Sequence, residues 1–141
     1  MEQILEAAAT LPLSVLGPRA VLVSEGARTG KLYILKSGEL EVVRDGSTVA
    51  AIGDPGSVIG DMSALLDLPH SATVRTRTGA EVHVAEDADA FLDAHPAAAR
   101  HIARLLAARL HKTTALLVDM RRQAKVREDQ DMFDKIFALL E

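Results

Sequence analysis

Between Ala20 and Ala85 the chain breaks into short runs of alternating or β-branched residues, and glycine-bearing turns separate them. The runs cover residues 20–24, 31–36, 39–44, 48–52, 72–78 and 81–85. The breaks are Glu25-Gly26, Ser37-Gly38, Asp45-Gly46, Gly53-Asp54-Pro55-Gly56 and Thr78-Gly79. Alternation sends successive side chains to opposite faces of a strand, so each run has one face to bury. Asp45-Gly46 supplies the two residues that most readily take the positive φ angles of a tight hairpin turn. Runs this short and this evenly punctuated predict a sandwich or roll and leave no room for alternating β–α units.

Helical texture brackets this region. Residues 3–9 predict a short helix that stops before Leu11-Pro12, because proline disfavours helical geometry in the residue before it. Inside the β region, Gly60-Asp61-Met62-Ser63-Ala64-Leu65-Leu66 holds enough helix formers for one or two turns and ends at Asp67-Leu68-Pro69. Residues 86–94 read as a short acidic helix, and Pro96 suits the first position of the next. That helix runs to about Gln123 with Ile102, Leu106, Leu110, Thr113, Leu117 and Met120 in one stripe, a seam suited to a sheet or a partner helix. Residues 131–140 form a separate amphipathic stretch whose apolar side needs a cover, from this chain or a partner.

Charge and composition remove several function classes. The chain has 141 residues, the size of one domain, and no cysteine, so disulfides and thiol chemistry are excluded. A net charge of -4 argues against sequence-independent nucleic-acid binding by the whole chain. The basic run Arg100, Arg104, Arg109, Lys112, Arg121, Arg122, Lys125 and Arg127 contains one acid, Asp119, and reads as a solvated helix face or an anion patch. The acidic start and the absence of a long apolar stretch place the expected protein in the cytoplasm, off the membrane. The histidines His70, His83, His95, His101 and His111 show no metal-ligand spacing; His101 and His111 would stand about 15 Å apart along a helix. No catalytic residue, metal or cofactor is expected, and the chain reads as a non-enzyme.

The segment from Gly53 to Val74 carries the chemistry. A glycine-led helical turn offers backbone N–H groups and the positive end of a small dipole to a phosphate. Asp61 at its start accepts hydrogen bonds from hydroxyls. His70-Ser71-Ala72-Thr73 adds an imidazole, two hydroxyls and further backbone donors, so one loop holds partners for a sugar phosphate.

This segment resembles the phosphate-binding cassette of the cyclic-nucleotide-binding domain family, approximately F/I-G-E-L/M-A/G-L followed by P-R-S/T-A-T/S-V. The flanks agree: residues 31–42 resemble the family's strand–glycine–strand step, and residues 96–110 its helix entering the hinge. The resemblance covers about residues 17–120. It implies a mainly β fold with helices: an eight-stranded, jelly-roll-like β-roll with an N-terminal helical segment (1–18), a roll (19–85) enclosing a cassette (60–74), and C-terminal helices (86–141), in a single domain 1–141. Arg109-Leu110-His111-Lys112-Thr113-Thr114 resembles the R-L-x-x-T-S of catabolite-activator-type regulators. There this helix pairs two subunits and the hydroxyl residues reach the base, which implies a homodimer and a base-contacting role for Thr113 and Thr114.

The ligand-binding set implied by the resemblance is Gly60, Asp61, Met62, His70, Ser71, Ala72, Thr73, Thr113 and Thr114, and the candidate ligand is cyclic AMP or cyclic GMP. Two positions depart from the family pattern. Asp61 stands for the ribose-binding Glu, so its carboxylate stops roughly 1.5 Å short. His70 stands for the phosphate-binding Arg, and imidazole lacks the permanent charge and planar fork of guanidinium. Loss of such a charge-assisted pair costs about 1.5–3 kcal/mol, roughly ten- to a hundredfold in affinity.

Three roles are open to His70: an exposed loop residue in a site that has lost its ligand, a weak phosphate partner better at low pH, or part of a pocket tuned to another anion. Arg75 and Arg77 are candidates to replace the missing charge. The chain is therefore expected to be a regulatory cyclic-nucleotide-binding-like module, acting through a partner or its own dimerisation. The alternative is a degenerate dimeric interaction module that binds no nucleotide. Some 20 residues after Met120 are too few for a helix-turn-helix unit, so no DNA-binding domain is expected in this chain.

Overall fold

A computed structural model describes residues 2–124 and 127–140. The chain forms two compact units, residues 1–102 and 103–141. The first contains α1 (Glu2–Ala8), β1 (Leu13–Leu16), β2 (Val21–Val23), β3 (Leu32–Arg44), β4 (Ser47–Ile52), β5 (Val58–Ile59), α2 (Asp61–Leu66), β6 (Thr73–Ala85) and α3 (Ala88–Ala94). Helix α4 (Pro96–Gln123) begins in this unit and continues into the second, which also holds α5 (Arg127–Leu140).

The six strands form an antiparallel sheet ordered β1-β6-β3-β4, with β2 paired to β6 and β5 to β3. Eight strands were expected, and the difference lies at two glycines. The runs on either side of Ser37-Gly38 join into one 13-residue strand, β3, and those flanking Thr78-Gly79 join into β6. Gly38 has φ +95°, and a Cβ there would lie 2.5 Å from the Gly79 carbonyl oxygen and 2.6 Å from the Ala80 Cα. The two strands therefore cross backbone against backbone where only hydrogen fits, and their register shifts on both sides of that point. Counted as halves about these glycines, β3 and β6 restore eight segments. The other departures are additions: Leu13–Leu16 and Val58–Ile59 are strands that periodicity did not reveal.

Alternation sorts the faces of β6, whereas Leu32, Tyr33, Ile34 and Leu35 at the start of β3 are buried on both faces. Tyr33, Leu35, Leu40, Ile59, Val74 and Val82 pack in one buried cluster with Val23 and Ala80. Thr76 lies in the same buried row of β6 yet is polar. Its hydroxyl donates to the Gly17 carbonyl at 2.6 Å and accepts from the Ala20 N–H at 3.0 Å, so it pins the turn between β1 and β2. Ile4 and Ala8 anchor α1. Helix α3 starts later than the acidic run suggested, because the Asp87 carboxylate accepts from the Ala90 N–H at 3.1 Å and acts as its cap. Pro96 opens α4, whose first turns bury Ala98 and Ile102.

In the second unit the α4 seam opens to solvent. Leu106 and Leu117 are half-buried, whereas Leu110, Thr113 and Met120 are exposed. Arg121 pairs with Asp134 of α5 at 2.6 Å, and its guanidinium lies 5.8 Å from the Phe137 ring centroid. Phe133 is buried, while Met132 and Leu139 remain exposed. Among the described residues no helix is long and apolar enough to cross a membrane.

Candidate ligand-binding site

The sheet positions the cassette at both ends. Ile59 of β5 pairs with Tyr33 of β3, which brings the next residue, Gly60, against the start of β3. Gly60 has φ +87°, and a Cβ there would meet the Lys31 carbonyl oxygen at 3.0 Å, His70 Cε1 at 3.6 Å and Tyr33 Cδ2 at 3.7 Å. The chain then enters α2, which no side chain caps at its start. At its end Asp67 takes the left-handed conformation, the Leu68 N–H donates to the Ser63 carbonyl at 3.0 Å, and the Ser63 hydroxyl donates to the Leu68 carbonyl. A closed helical turn leads directly into the second arm, His70 to Thr73.

That second arm is stitched to the connection between β2 and β3. The Gly26 N–H donates to the His70 carbonyl at 2.9 Å, and the His70 N–H donates to the Ala27 carbonyl at 2.8 Å. The Glu25 N–H donates to the Thr73 hydroxyl at 3.0 Å, and Arg28 pairs with Asp67 at 3.6 Å. The Thr29 hydroxyl lies 3.4 Å from His70 Nε2, where donor and acceptor are set by the imidazole tautomer, and it accepts from the Lys31 N–H at 3.3 Å. These partners come from some 40 residues away, and no local signal marks Thr29 or Ala27 as part of the site. The Glu25-Gly26 turn was the only trace of them in the sequence.

The structure thus brings Gly60, Asp61 and His70 together, with Ser71, Ala72 and Thr73 following on the same arm. His70 is not the exposed loop residue that one expectation made it: it is 6% exposed. The reason is the pair of backbone bonds to Gly26 and Ala27, which hold its Cα so that the ring faces Gly60. Burial also lowers the imidazole pKa below its ordinary 6.5, so the ring is neutral near pH 7. Asp61 is buried as well, at 5% exposed, and Ser71 is exposed. Met62 points largely to solvent. Thr113, exposed, and Thr114, half-buried, belong to the second unit.

Arg75 and Arg77 do not stand beside His70 as free charges. They alternate with the buried Val74 and Thr76, and Glu41 holds both, at 3.2 and 2.8 Å, with Glu39 adding a 3.0 Å contact to Arg77. Hydrogen bonds from Arg77 and then Arg75 keep the Glu41 carboxyl below its usual range. With Arg19, Val21 and Thr76 these residues line a separate open cleft of about 650 Å³. Lys31, whose ammonium is 3.1 Å from Glu86, is held protonated above its ordinary range by that partner. Among the described residues no group of three or more His, Asp or Glu could hold a metal ion.

A β-roll with a glycine-led turn and a histidine-led arm meeting at one point defines a class. The chain belongs to the family described as Cyclic nucleotide-binding domain, whose profile matches residues 14–95, more than half of it. Over 73 residues it is 36% identical to the cAMP-dependent protein kinase regulatory subunit of Yarrowia lipolytica; the match covers 51% of this chain and 20% of that protein. The catabolite activator protein of Thermus thermophilus superposes with a TM-score of 0.71 at 26% identity, covering 84% of this chain and 59% of that one. The regulatory subunit of a cAMP-independent protein kinase A from Trypanosoma cruzi, bound to guanosine, shares the fold with a TM-score of 0.55 at 22% identity, over 67% of this chain and 33% of that one. The matched segment is thus about a fifth of the length of the curated Yarrowia relative.

Proposed function

We propose that this chain is a regulatory module whose cassette takes a cyclic purine nucleotide, cyclic AMP or cyclic GMP, weakly, and that it acts through a partner or through its own dimerisation along α4. The observation that carries this reading is the meeting of Gly60 and His70, with a Gly60 Cβ position 3.6 Å from the imidazole, in a member of this family. In this reading Asp61 accepts from the ribose hydroxyls, and the backbone around Ser71, Ala72 and Thr73 faces the phosphate. The domain binds and transmits; it does not catalyse.

Dimerisation is supported by Leu110 and Met120, which expose about half of their surface on one stripe of α4. A second reading, a degenerate dimeric module without ligand, is favoured by His70 itself, which is neutral, buried and engaged with Thr29. Calorimetry separates the two. The first expects weak cyclic AMP or cyclic GMP binding that strengthens as pH falls below 6.5 and imidazole takes up a proton. The second expects no heat at any pH, even after His70→Arg.

A further inference from the structure

We propose that the open cleft beside the turn from β1 to β2 docks an acidic peptide segment of a protein partner through Arg19, Arg75 and Arg77. The cleft lies outside the cassette, so this inference goes beyond the proposed function and depends on no nucleotide.

The sheet builds the site. Arg75 of β6 pairs in register with Val21 of β2 on one side and with Glu41 of β3 on the other. Arg77, two residues on, shares its face by alternation, and the buried Thr76 lies between them. Thr76 then fixes the third arginine. Its hydroxyl donates to the Gly17 carbonyl at 2.6 Å and accepts from the Ala20 N–H at 3.0 Å, and its own N–H donates to the Ala20 carbonyl at 2.9 Å. These bonds bracket Pro18 and Arg19 and hold the turn against β6. Arg19 sits there at φ 56°, a left-handed conformation that L-residues rarely adopt. The backbone alone favours glycine at this position, and the chain carries a guanidinium instead.

The three guanidinium groups share the cleft with one lining carboxylate, Glu41, and Glu39 of the same strand touches Arg77. Glu41 is the enclosed member, with its side chain 17% exposed against 42% for Arg75 and 54% for Arg77. One of its oxygens accepts from the Arg75 Nε and the other from the Arg77 Nε. The carboxylate thereby orients both arginines and leaves further guanidinium nitrogens of each facing solvent. Among the described residues the Arg19 side chain has no ion pair. Three cations against two carboxylates leave the cleft positive, in a chain whose formal net charge is -4.

That surplus suits carboxylate side chains. A carboxylate accepts two parallel N–H bonds from one guanidinium, and the Arg19 fork is free for that geometry. Val21, exposed at the edge of the cleft, offers apolar contact to the aliphatic stem of a glutamate. A nucleic-acid backbone suits the cleft less, because its continuous phosphates would meet Glu39, Glu41 and the negative charge of the whole chain. Pairs this exposed to solvent are individually weak, which fits a transient partner.

The test follows backbone amide resonances of the full chain during titration with a hexaglutamate peptide at low ionic strength, with hexalysine and inorganic phosphate as comparisons. Hexaglutamate is expected to give saturable shifts centred on Arg19, Val21, Glu41, Arg75 and Arg77, and hexalysine none there. Arg19→Gln is expected to weaken hexaglutamate about three- to fivefold, the worth of an exposed charge pair, while Arg100→Gln, which removes the same charge from α4, changes it less than about 1.5-fold. Arg19→Gly should repeat the loss on a backbone that glycine favours, which separates the missing guanidinium from misfolding. Equal weakening by Arg19→Gln and Arg100→Gln, saturable shifts confined to other residues, or no saturable shift would overturn the proposal. Inorganic phosphate that shifts the same amides at lower concentration than hexaglutamate would also overturn it, and would make the cleft a phosphate site.

Discussion

Replacing Gly60 by alanine tests whether the cassette is built as described. Gly60 sits at φ +87°, and the new Cβ would lie 3.0 Å from the Lys31 carbonyl oxygen, with His70 and Tyr33 in ordinary contact behind it. A left-handed conformation costs an L-residue about 1–2 kcal/mol. The Lys31 oxygen belongs to backbone at the start of β3 and moves only if the strand moves, which adds about 1 kcal/mol of packing strain. The expected loss of about 2–3 kcal/mol is a large part of a domain's stability and corresponds to a fall in Tm of roughly 6–15 °C for a chain of this size. Gly53→Ala is the control: nothing lies within 4 Å of its Cβ position and its φ is not in the left-handed region. That variant should stay within about 0.5 kcal/mol of wild type. Urea and thermal unfolding of the three proteins give the answer. If Gly60→Ala is no less stable than Gly53→Ala, the cassette turn is not held against β3 and His70 as described.

Other outcomes follow from the same contacts. Thr76→Val leaves the Gly17 carbonyl and the Ala20 N–H without their hydroxyl partner and should lower unfolding free energy by about 1–3 kcal/mol, read from urea midpoints. His70 has a folded-state pKa below its unfolded 6.5, so the unfolded chain binds the proton more readily. Its contribution is complete above pH 6.5 and is lost as pH falls towards the folded value. Wild type should therefore lose stability between pH 7 and 5.5 more steeply than His70→Gln, and equal slopes would contradict it. Glu41, lowered by its arginine partners, acts in the opposite range: its contribution is present above pH 4.5 and is lost as pH falls below that, which keeps the two titrations apart. Sedimentation should show a wild-type dimer that Leu110→Glu with Leu117→Glu converts to monomer; a wild type that stays monomeric removes the α4 pairing.

The glycine punctuation made the roll legible, and the Gly60 and His70 motifs made the cassette legible. Alternation reports which face of a strand is buried, and the buried row of Val74, Thr76, Ala80 and Val82 follows it across Gly79. It does not report whether two runs are one strand, because that depends on a close crossing at Gly38 that only glycine permits. The two-residue strand β5 is too short to show any period. The sequence marks His70 as a candidate by its residue type and place, but carries no sign of its burial. Chemistry at one position predicts what a side chain can bind, whereas burial is decided by partners such as Ala27 and Thr29, remote in sequence. The fate of Arg75 and Arg77 was hidden for the same reason, since Glu39 and Glu41 face them from another strand.

The central claim, that residues 60–63 and 70–73 form one ligand-binding cassette, is tested most directly by following backbone amide resonances during titration with cyclic AMP and with cyclic GMP. The account predicts that amides of Gly60, Asp61, Met62, Ser71 and Thr73 shift first and saturate together. Saturable shifts confined to other parts of the chain, or none with either ligand up to its solubility, would contradict it.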